Sequence, residues 1–223
     1  MIISTVIPAY NEAKKIGQVI NEIKDKVTKI IVVNDGSNDA TGEIASQGGA
    51  IVLNHFINRG QGAALQTGIN FALAKGADII LTFDADGQHQ ASDIDKMIQP
   101  LLLGQVQVVL GSRFLGQKAK MPFVRKVILK LATLFTQLYT GLKVTDTHNG
   151  FRAFSRQAAE LIEIKQDGMA HASEIIEQIR KYDLKYIEVP VVIEYTDYSL
   201  QKGQKLSNSF RIVWDLILGK ISR

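Results

Sequence analysis

The sequence predicts an α/β domain built on a mostly parallel sheet with helices on both faces. Two observations predict it. Short β-branched runs ending in polar turns alternate with longer stretches of helical spacing. Strand–helix–strand repetition of this kind gives a parallel sheet with right-handed crossovers. The polar tips Pro8–Glu12, Asn34–Asp39 and Asp84–Gln90 then lie beyond the carboxyl ends of strands, where such sheets bind ligands.

The expected strands of the first half are Ile2–Ile7, Lys29–Val33, Ala50–Leu53, Asp78–Phe83 and Gln105–Leu110. Between them, Glu12–Lys26, Asp39–Gln47, Gly62–Lys75 and Ser92–Leu103 carry helical spacing. The second half is less regular. Val124, Val127, Ile128, Leu131, Leu134, Phe135 and Leu138 recur at three and four residues, so Phe123–Thr140 is expected to be an amphipathic helix with Arg125, Lys126 and Lys130 near its start. A polar connector, Gly141–Gly150, follows. Ser173–Tyr182 reads as a helix, Tyr186–Tyr195 as a strand and Leu206–Ile221 as a helix apolar around most of its circumference. No repeat or linker interrupts the chain, and residues 1–223 are expected to form a single domain.

Composition narrows the chemistry. The 223 residues are 46% hydrophobic and 22% charged, enough to bury a core. The absence of cysteine excludes disulfides, thiolate zinc sites, iron–sulfur clusters and cysteine nucleophiles. A net charge of +4 suits an anionic partner without choosing one. No targeting segment is expected, and no apolar run approaches the roughly 18–20 residues that cross a bilayer. A soluble or peripheral protein is expected.

The strongest motif is Asp84-Ala85-Asp86-Gly87-Gln88-His89, directly after an apolar strand. Two carboxylates two residues apart, with Gln88 adding a neutral oxygen, can reach one hard cation such as Mg²⁺ or Mn²⁺. The alternative is a capped turn with a solvated Asp86. Asp35, in Asn34-Asp35-Gly36-Ser37, places a carboxylate at the ligand edge to accept from a base or ribose, although Gly36 and Ser37 alone fit a turn and helix cap. At the end of the first strand, Tyr10 is placed to stack on a base and Glu12 to bond a ribose hydroxyl, while Asn11 also fits a helix cap. Gly60-Gln61-Gly62 permits close backbone approach and precedes a helix whose free N–H groups suit an anion. The full dinucleotide fingerprint is absent.

Ile7-Pro8-Ala9-Tyr10-Asn11-Glu12, Val33-Asn34-Asp35-Gly36-Ser37, Asp84-Ala85-Asp86-Gly87-Gln88-His89 and Gly111-Ser112-Arg113 occur in this order. With Thr145–Phe154, Glu188-Val189-Pro190-Val191 and Lys202–Leu206, the chain resembles family 2 glycosyltransferases of the GT-A (Rossmann-like) fold. The nearest branch is the dolichol-phosphate mannose synthase-like, or polyprenyl-phosphate glycosyltransferase, group. The resemblance implies a donor and metal half at 1–115 and an acceptor half at 116–223. It implies nucleotide contacts at Pro8, Ala9, Tyr10, Glu12, Asp35, Asp84 and Ala85, and a metal and diphosphate site at Asp84, Asp86 and Gln88. Arg113 and Arg125 are implied as phosphate-binding cations, and Lys202 and Lys205 as a loop able to close over the site; without the resemblance those lysines read as solvated. Asn34 departs from the branch, which usually carries an acid there, and Asn149 stands where serine is common.

The implied reaction is an inverting displacement of a nucleoside diphosphate, UDP or GDP, from a sugar. A sugar-hydroxyl acceptor needs a general base, and Glu174 stands where the family keeps one, though it also reads as a first-turn helix acid. A polyprenyl phosphate is already an anion. The basic amphipathic helix and the apolar Leu206–Ile221 favour that lipid acceptor, with the protein peripheral on the cytoplasmic membrane face. A small membrane-embedded partner or a second copy would help hold it there. Nucleic acid is not an expected partner. A soluble transferase acting on a saccharide hydroxyl, a sugar nucleotidyltransferase and a non-catalytic nucleotide-binding scaffold are the alternatives. The nucleotidyltransferase is disfavoured by Pro8–Glu12, where those enzymes carry a glycine-rich, arginine-containing loop.

Overall fold

Residues 1–116 and 123–195 are described by a computed structural model. Its centre is a seven-stranded sheet in the order β3-β2-β1-β4-β6-β5-β7. The strands are β1 (Ile3–Ala9), β2 (Lys29–Asp35), β3 (Ile51–His55), β4 (Ile79–Thr82), β5 (Val108–Ser112), β6 (Arg152–Ser155) and β7 (Tyr186–Pro190). All neighbours pair parallel except β6, which runs antiparallel to β4 and β5. The helices are α1 (Ile16–Ile23), α2 (Thr41–Gln47), α3 (Gln61–Ala74), α4 (Ile94–Leu102), α5 (Phe123–Thr140), α6 (Arg156–Leu161) and α7 (His171–Lys181).

Successive strand side chains point to opposite faces, and both faces are covered. Val6, Ile31, Val33, Ile80, Val108 and Leu110 pack on one side with α3, α6 and α7. Ile7, Val32, Ile79, Leu81 and Val109 pack on the other with α1, α2 and α4. This explains why the strands read as apolar runs rather than as an alternation. The chain winds outward from β1 to β2 and β3, then returns to start β4 on the other side of β1. The tips of β1, β2 and β4 therefore share one edge at this switch point.

The structure corrects several expected boundaries. Helix α1 starts at Ile16, four residues later than expected, because the chain first turns back through Asn11 in the left-handed region, φ 54°. The expected strand Tyr186–Tyr195 ends at Pro190, which has no N–H to extend the ladder. Beyond it only an isolated bridge joins His89 to Ile193. Strand β6 and helix α6 lie where no element was expected. Four to six residues carry too little periodicity to announce themselves. The expected helix Leu206–Ile221 lies outside the described residues.

Helix α5 has the expected limits but an inverted burial. Thr133 and Thr136 are buried, and Thr136 Oγ1 lies 3.1 Å from Ser173 Oγ of α7. Val124, Val127, Leu131, Leu134 and Leu138 are exposed, Leu138 at 79%. A core helix would bury this stripe.

The contact of α3 with the sheet depends on a missing side chain. A Cβ on Gly68 would lie 2.3 Å from Val6 Cγ1 and 3.1 Å from Val33 Cγ2. Gly68→Ala is therefore expected to destabilise the fold by about 1–3 kcal/mol through overpacking, despite the better helix propensity of alanine. Urea unfolding would measure this, and an unchanged or raised midpoint would contradict it.

Candidate active site

The tips of β1 and β2 are sewn together by short polar side chains. Pro8 and Ala9 end β1, paired with Val33 and Asn34. The Asn11 N–H donates to Ser37 Oγ at 2.9 Å, and the Asn38 N–H donates to Asn11 Oδ1 at 2.9 Å. The Glu12 N–H donates to Thr41 Oγ1 at 2.7 Å. Tyr10 stays 43% exposed on this tip, as a stacking residue requires, whereas Glu12 is buried.

Asp35 is also buried. Its Oδ1 accepts from the Arg59 N–H at 3.0 Å and lies 2.6 Å from His55 Nδ1, while Oδ2 accepts from the Gly60 N–H at 2.7 Å. His55 Nε2 in turn lies 3.0 Å from Thr67 Oγ1. Asp35 thus anchors the loop leading into α3, and any contact to a nucleotide is additional to this work.

Asp84 stands beyond β4 where three chain segments meet. Gln61 Nε2 donates to its Oδ1 at 3.0 Å, and His89 Nε2 lies 2.9 Å from its Oδ2. The backbone at Gly150 closes the third side, where a Cβ would come within 2.4 Å of the Asp84 carboxylate. Burial opposes the charge of Asp84. The His89 hydrogen bond and nearby positive charge, including Arg152, outweigh it and hold the carboxyl below its ordinary range. Asp86 is shifted the other way. Burial and the charge of Asp84 push it up to about 6. Glu12 adds to the same negative field. Ala85 is buried between the two acids.

These residues fit a hard divalent cation. All the donors are oxygens, and two carboxylates repel each other where a cation would relieve both. Gln88 would ligate through its Oε1, leaving its Nε2, buried and without a partner among the described residues, to donate to a substrate oxygen. Asp86 and Gln88 have more ligand capacity left than Asp84. Among the described residues no three His, Asp or Glu side chains form a cage by themselves. A cation here would complete its shell with substrate oxygens or water.

Arg113 was expected to face a phosphate, but the structure places it in a buried ion pair. Its Nε donates to Asp146 Oδ2 at 2.6 Å, Nη1 to Tyr195 Oη at 3.2 Å and Nη2 to the His148 carbonyl at 3.1 Å. Glu188 fixes the same loop by accepting from the N–H of Thr145, at 2.8 Å, and of Asp146. Arg152, nearly fully buried, donates to the Thr147 carbonyl at 3.0 Å. Burial lowers its pKa to about 10 against the opposing pull of Asp84 and Asp146. Burial also lowers His148 and His171 to about 4, leaving both neutral at pH 7.

Glu174 lies in α7, 2% exposed, with Oε2 accepting from the N–H groups of Lys165 and Gln166. The start of α3 is likewise engaged within the chain. The Gly62 and Ala63 N–H groups donate to the Asp167 carbonyl at 2.8 and 3.3 Å, so the close approach expected of an anion is made by the protein's own backbone. The Arg125 side chain, Lys202 and Lys205 lie outside the described residues. Gln61, His89, Asp146, Gly150 and Arg152 were not singled out individually by sequence. The polar run Thr145–Arg152 between apolar segments is the signal that marks most of them.

A switch-point edge carrying an acid at β2 and an Asp-x-Asp pair beyond β4 is the setting in which a GT-A sugar transferase holds its nucleotide-sugar, and similarity to known proteins places the chain in that class. The chain belongs to glycosyl transferase family 2, whose domain matches residues 4–162. It is 42% identical to an uncharacterized protein of Methanocaldococcus jannaschii, over 98% of this chain and 92% of the relative. It is 34% identical to the UDP-N-acetylglucosamine–dolichyl-phosphate N-acetylglucosaminyltransferase of Methanococcus voltae, over 100% of this chain and 97% of that one. In fold it is similar to the crystal structure of Mycobacterium tuberculosis glucosyl-3-phosphoglycerate synthase in complex with Mn²⁺ and UDP-glucose. That match has a TM-score of 0.75 at 21% identity and covers 99% of this chain and 78% of that one.

Two predictions follow from the acids and their partners. Asp86 must lose its proton to bind a cation, so a pKa near 6 sets the window. Mn²⁺ affinity in the presence of UDP or GDP is expected to be flat above pH 6.5 or so and to fall up to about tenfold per pH unit below 6. Calorimetry across pH 5–7.5 measures it, and a flat profile would count against Asp86 as a ligand. Arg113→Ala leaves Asp146 buried without its partner, which is expected to cost about 3–5 kcal/mol in denaturant unfolding. Unchanged stability with weakened acceptor binding would instead indicate a solvent-facing phosphate ligand.

Proposed function

We propose that this chain is a single-domain inverting glycosyltransferase that moves a sugar from a nucleoside-diphosphate sugar to a polyprenyl phosphate. It works as a peripheral protein on the cytoplasmic membrane face. The observation that carries the acceptor assignment is the outward aliphatic stripe of α5, Val124, Val127, Leu131, Leu134 and Leu138, beside the half-buried Lys126 and exposed Lys130. An exposed apolar helix face with cations suits a bilayer interface carrying anionic lipid. Among the described residues no helix is long and apolar enough to cross a membrane. The dolichyl-phosphate acceptor named for the Methanococcus voltae relative supports the same chemistry.

In this reaction an acceptor phosphate oxygen attacks the anomeric carbon as the bond to the diphosphate breaks. The nucleoside diphosphate leaves with the electron pair, and no proton need move. Asp35 and the Pro8–Glu12 tip hold the nucleoside side, with Tyr10 exposed for stacking. Asp84, Asp86 and Gln88 would hold Mg²⁺ or Mn²⁺, which when bound neutralises charge on the leaving diphosphate. Arg125, Lys202 and Lys205 are the cations proposed to meet the acceptor phosphate or close the site. Arg113 orders the loop of Asp146 and His148.

Labelled UDP- and GDP-sugars, each with Mn²⁺, should pass label into organic solvent when polyprenyl phosphate is supplied. Transfer to water-soluble oligosaccharides but not to the lipid would assign a saccharide hydroxyl acceptor instead. Asp86→Ala is expected to lower transfer by about a thousandfold or more, in keeping with a metal's part in stabilising the leaving group. Leu131→Ser combined with Leu134→Ser should reduce sedimentation with anionic vesicles several-fold while thermal stability holds, because both side chains are already in water. Full retention on the vesicles would remove α5 from the membrane surface.

A further inference from the structure

Glu174 is joined to the donor edge by a chain of contacts through two backbone segments. Its Oε2 accepts from the N–H groups of Lys165 at 3.0 Å and Gln166 at 2.9 Å, pinning the loop before α7. The next peptide of that loop caps α3, since the Asp167 carbonyl accepts from Gly62 and Ala63. The junction is tight. A Cβ on Gly62 would lie 1.9 Å from the Gln166 carbonyl oxygen, and one on Gly60 would lie 2.4 Å from that of Asp167. The same turn of chain grips both donor-edge acids. The N–H groups of Arg59 and Gly60 bond Asp35, and the Gln61 side chain bonds Asp84.

We propose that Glu174 is a positioning residue for the donor site and not the general base. It acts through residues 165–167 on the first turn of α3, and through that turn on Asp35 and Asp84. A base must lie within hydrogen-bond reach of the acceptor proton. The Glu174 carboxylate is instead buried, with its Oε2 against two backbone amides. The inference deepens the lipid-phosphate assignment, in which the attacking oxygen carries no proton to remove. It also accounts for an acid at this helix start, where the macrodipole favours the charge.

The test compares Glu174→Gln, Glu174→Ala and Gly62→Ala in the full chain. Calorimetry with Mn²⁺ and either UDP or GDP reads the donor site without any acceptor. Steady-state transfer gives kcat, donor KM and the pH profile. Glutamine keeps a carbonyl oxygen for the two amides, so Glu174→Gln should stay within about threefold of wild type in affinity and kcat, with the same pH profile. Glu174→Ala and Gly62→Ala disturb the junction from its two sides, and each should weaken nucleotide affinity and raise donor KM about tenfold with little change in kcat. If Glu174→Ala fails to fold, Gly62→Ala carries the same comparison. A loss of about a hundredfold or more in kcat for Glu174→Gln, with intact affinity and one ionisation gone from the pH profile, would make Glu174 the base and overturn the proposal. A lowered melting temperature with unchanged nucleotide affinity in both junction variants would reduce it to loop support and overturn it equally. Wild-type transfer to oligosaccharides alone would remove the lipid acceptor but leave the nucleotide affinities to decide the positioning role.

Discussion

The arrangement of the donor edge depends on one carboxylate, that of Asp84. Three stretches of chain converge on it: Gln61 at the start of α3 and the backbone at Gly150 before β6, both distant in sequence, and His89 from the acid's own loop. The sheet order makes this possible. Strand β4 lies between β1 and β6, and β6 pairs antiparallel in a register that sets Arg152 opposite Thr82. The Thr82 hydroxyl then donates to the Gly150 carbonyl at 2.6 Å, locking the loop against the acid. Because Asp84 is satisfied by the protein, its charge is kept. Asp86 is left as the titratable member of the pair. In the proposed metal site Asp84 would serve architecture and ligand together, while Asp86, whose Oδ1 accepts from the Gln88 N–H at 3.0 Å, would offer its other oxygen to a cation.

The half of the chain after β5 is organised by a different constraint, the buried Arg113–Asp146 pair. An ion pair in this setting gives little net stability, but removing one partner strands the other. It specifies one loop conformation, reinforced by Glu188 and by Arg152 on the Thr147 carbonyl. Gln137 of α5 donates to the Val144 carbonyl before this loop, and α5 turns Thr133 and Thr136 inward and Leu131, Leu134 and Leu138 outward. A hydrogen-bonded polar loop next to an exposed aliphatic stripe suits an acceptor with a charged head and a hydrocarbon tail.

Much of the first half was legible in sequence because β1, β2, β4 and β5 are buried on both faces, whereas the edge strand β3 is half-exposed. Asp35, Asp84 and Asp86 stood out for the same reason, as acids interrupting apolar runs at strand ends. The partners of those acids were not legible. Gln61 and Gly150 act on Asp84 across 23 and 66 residues, by the arithmetic 84 − 61 and 150 − 84, and only the sheet order brings them together. Periodicity placed α5 correctly but could not say which face is outside. An aliphatic stripe looks the same whether it meets a core or a lipid. Arg113 and the α3 amides share one lesson. Sequence shows a donor but not whether the chain has already used it, as Asp146 and the Asp167 carbonyl have done here.

That prior use bears on the chemistry. Asp35 is engaged by two amides and His55, Asp84 by Gln61 and His89, Asp146 by Arg113, Glu174 by two amides and Glu188 by the loop at Thr145. Deprotonating a sugar hydroxyl needs a carboxylate or imidazole poised near neutral pH and facing the acceptor. Burial takes His148 and His171 far below that range, and Asp86, the acid nearest it, sits beside Asp84 where a cation would bind. Such an edge is suited to holding and neutralising charge rather than to relaying protons. A phosphate nucleophile asks only for that. It arrives ionised, and it needs fixed cations, a stabilised leaving diphosphate and a surface for its lipid tail. The engaged acids, the ordered acceptor loop and the outward stripe of α5 are thereby consistent with a single acceptor class.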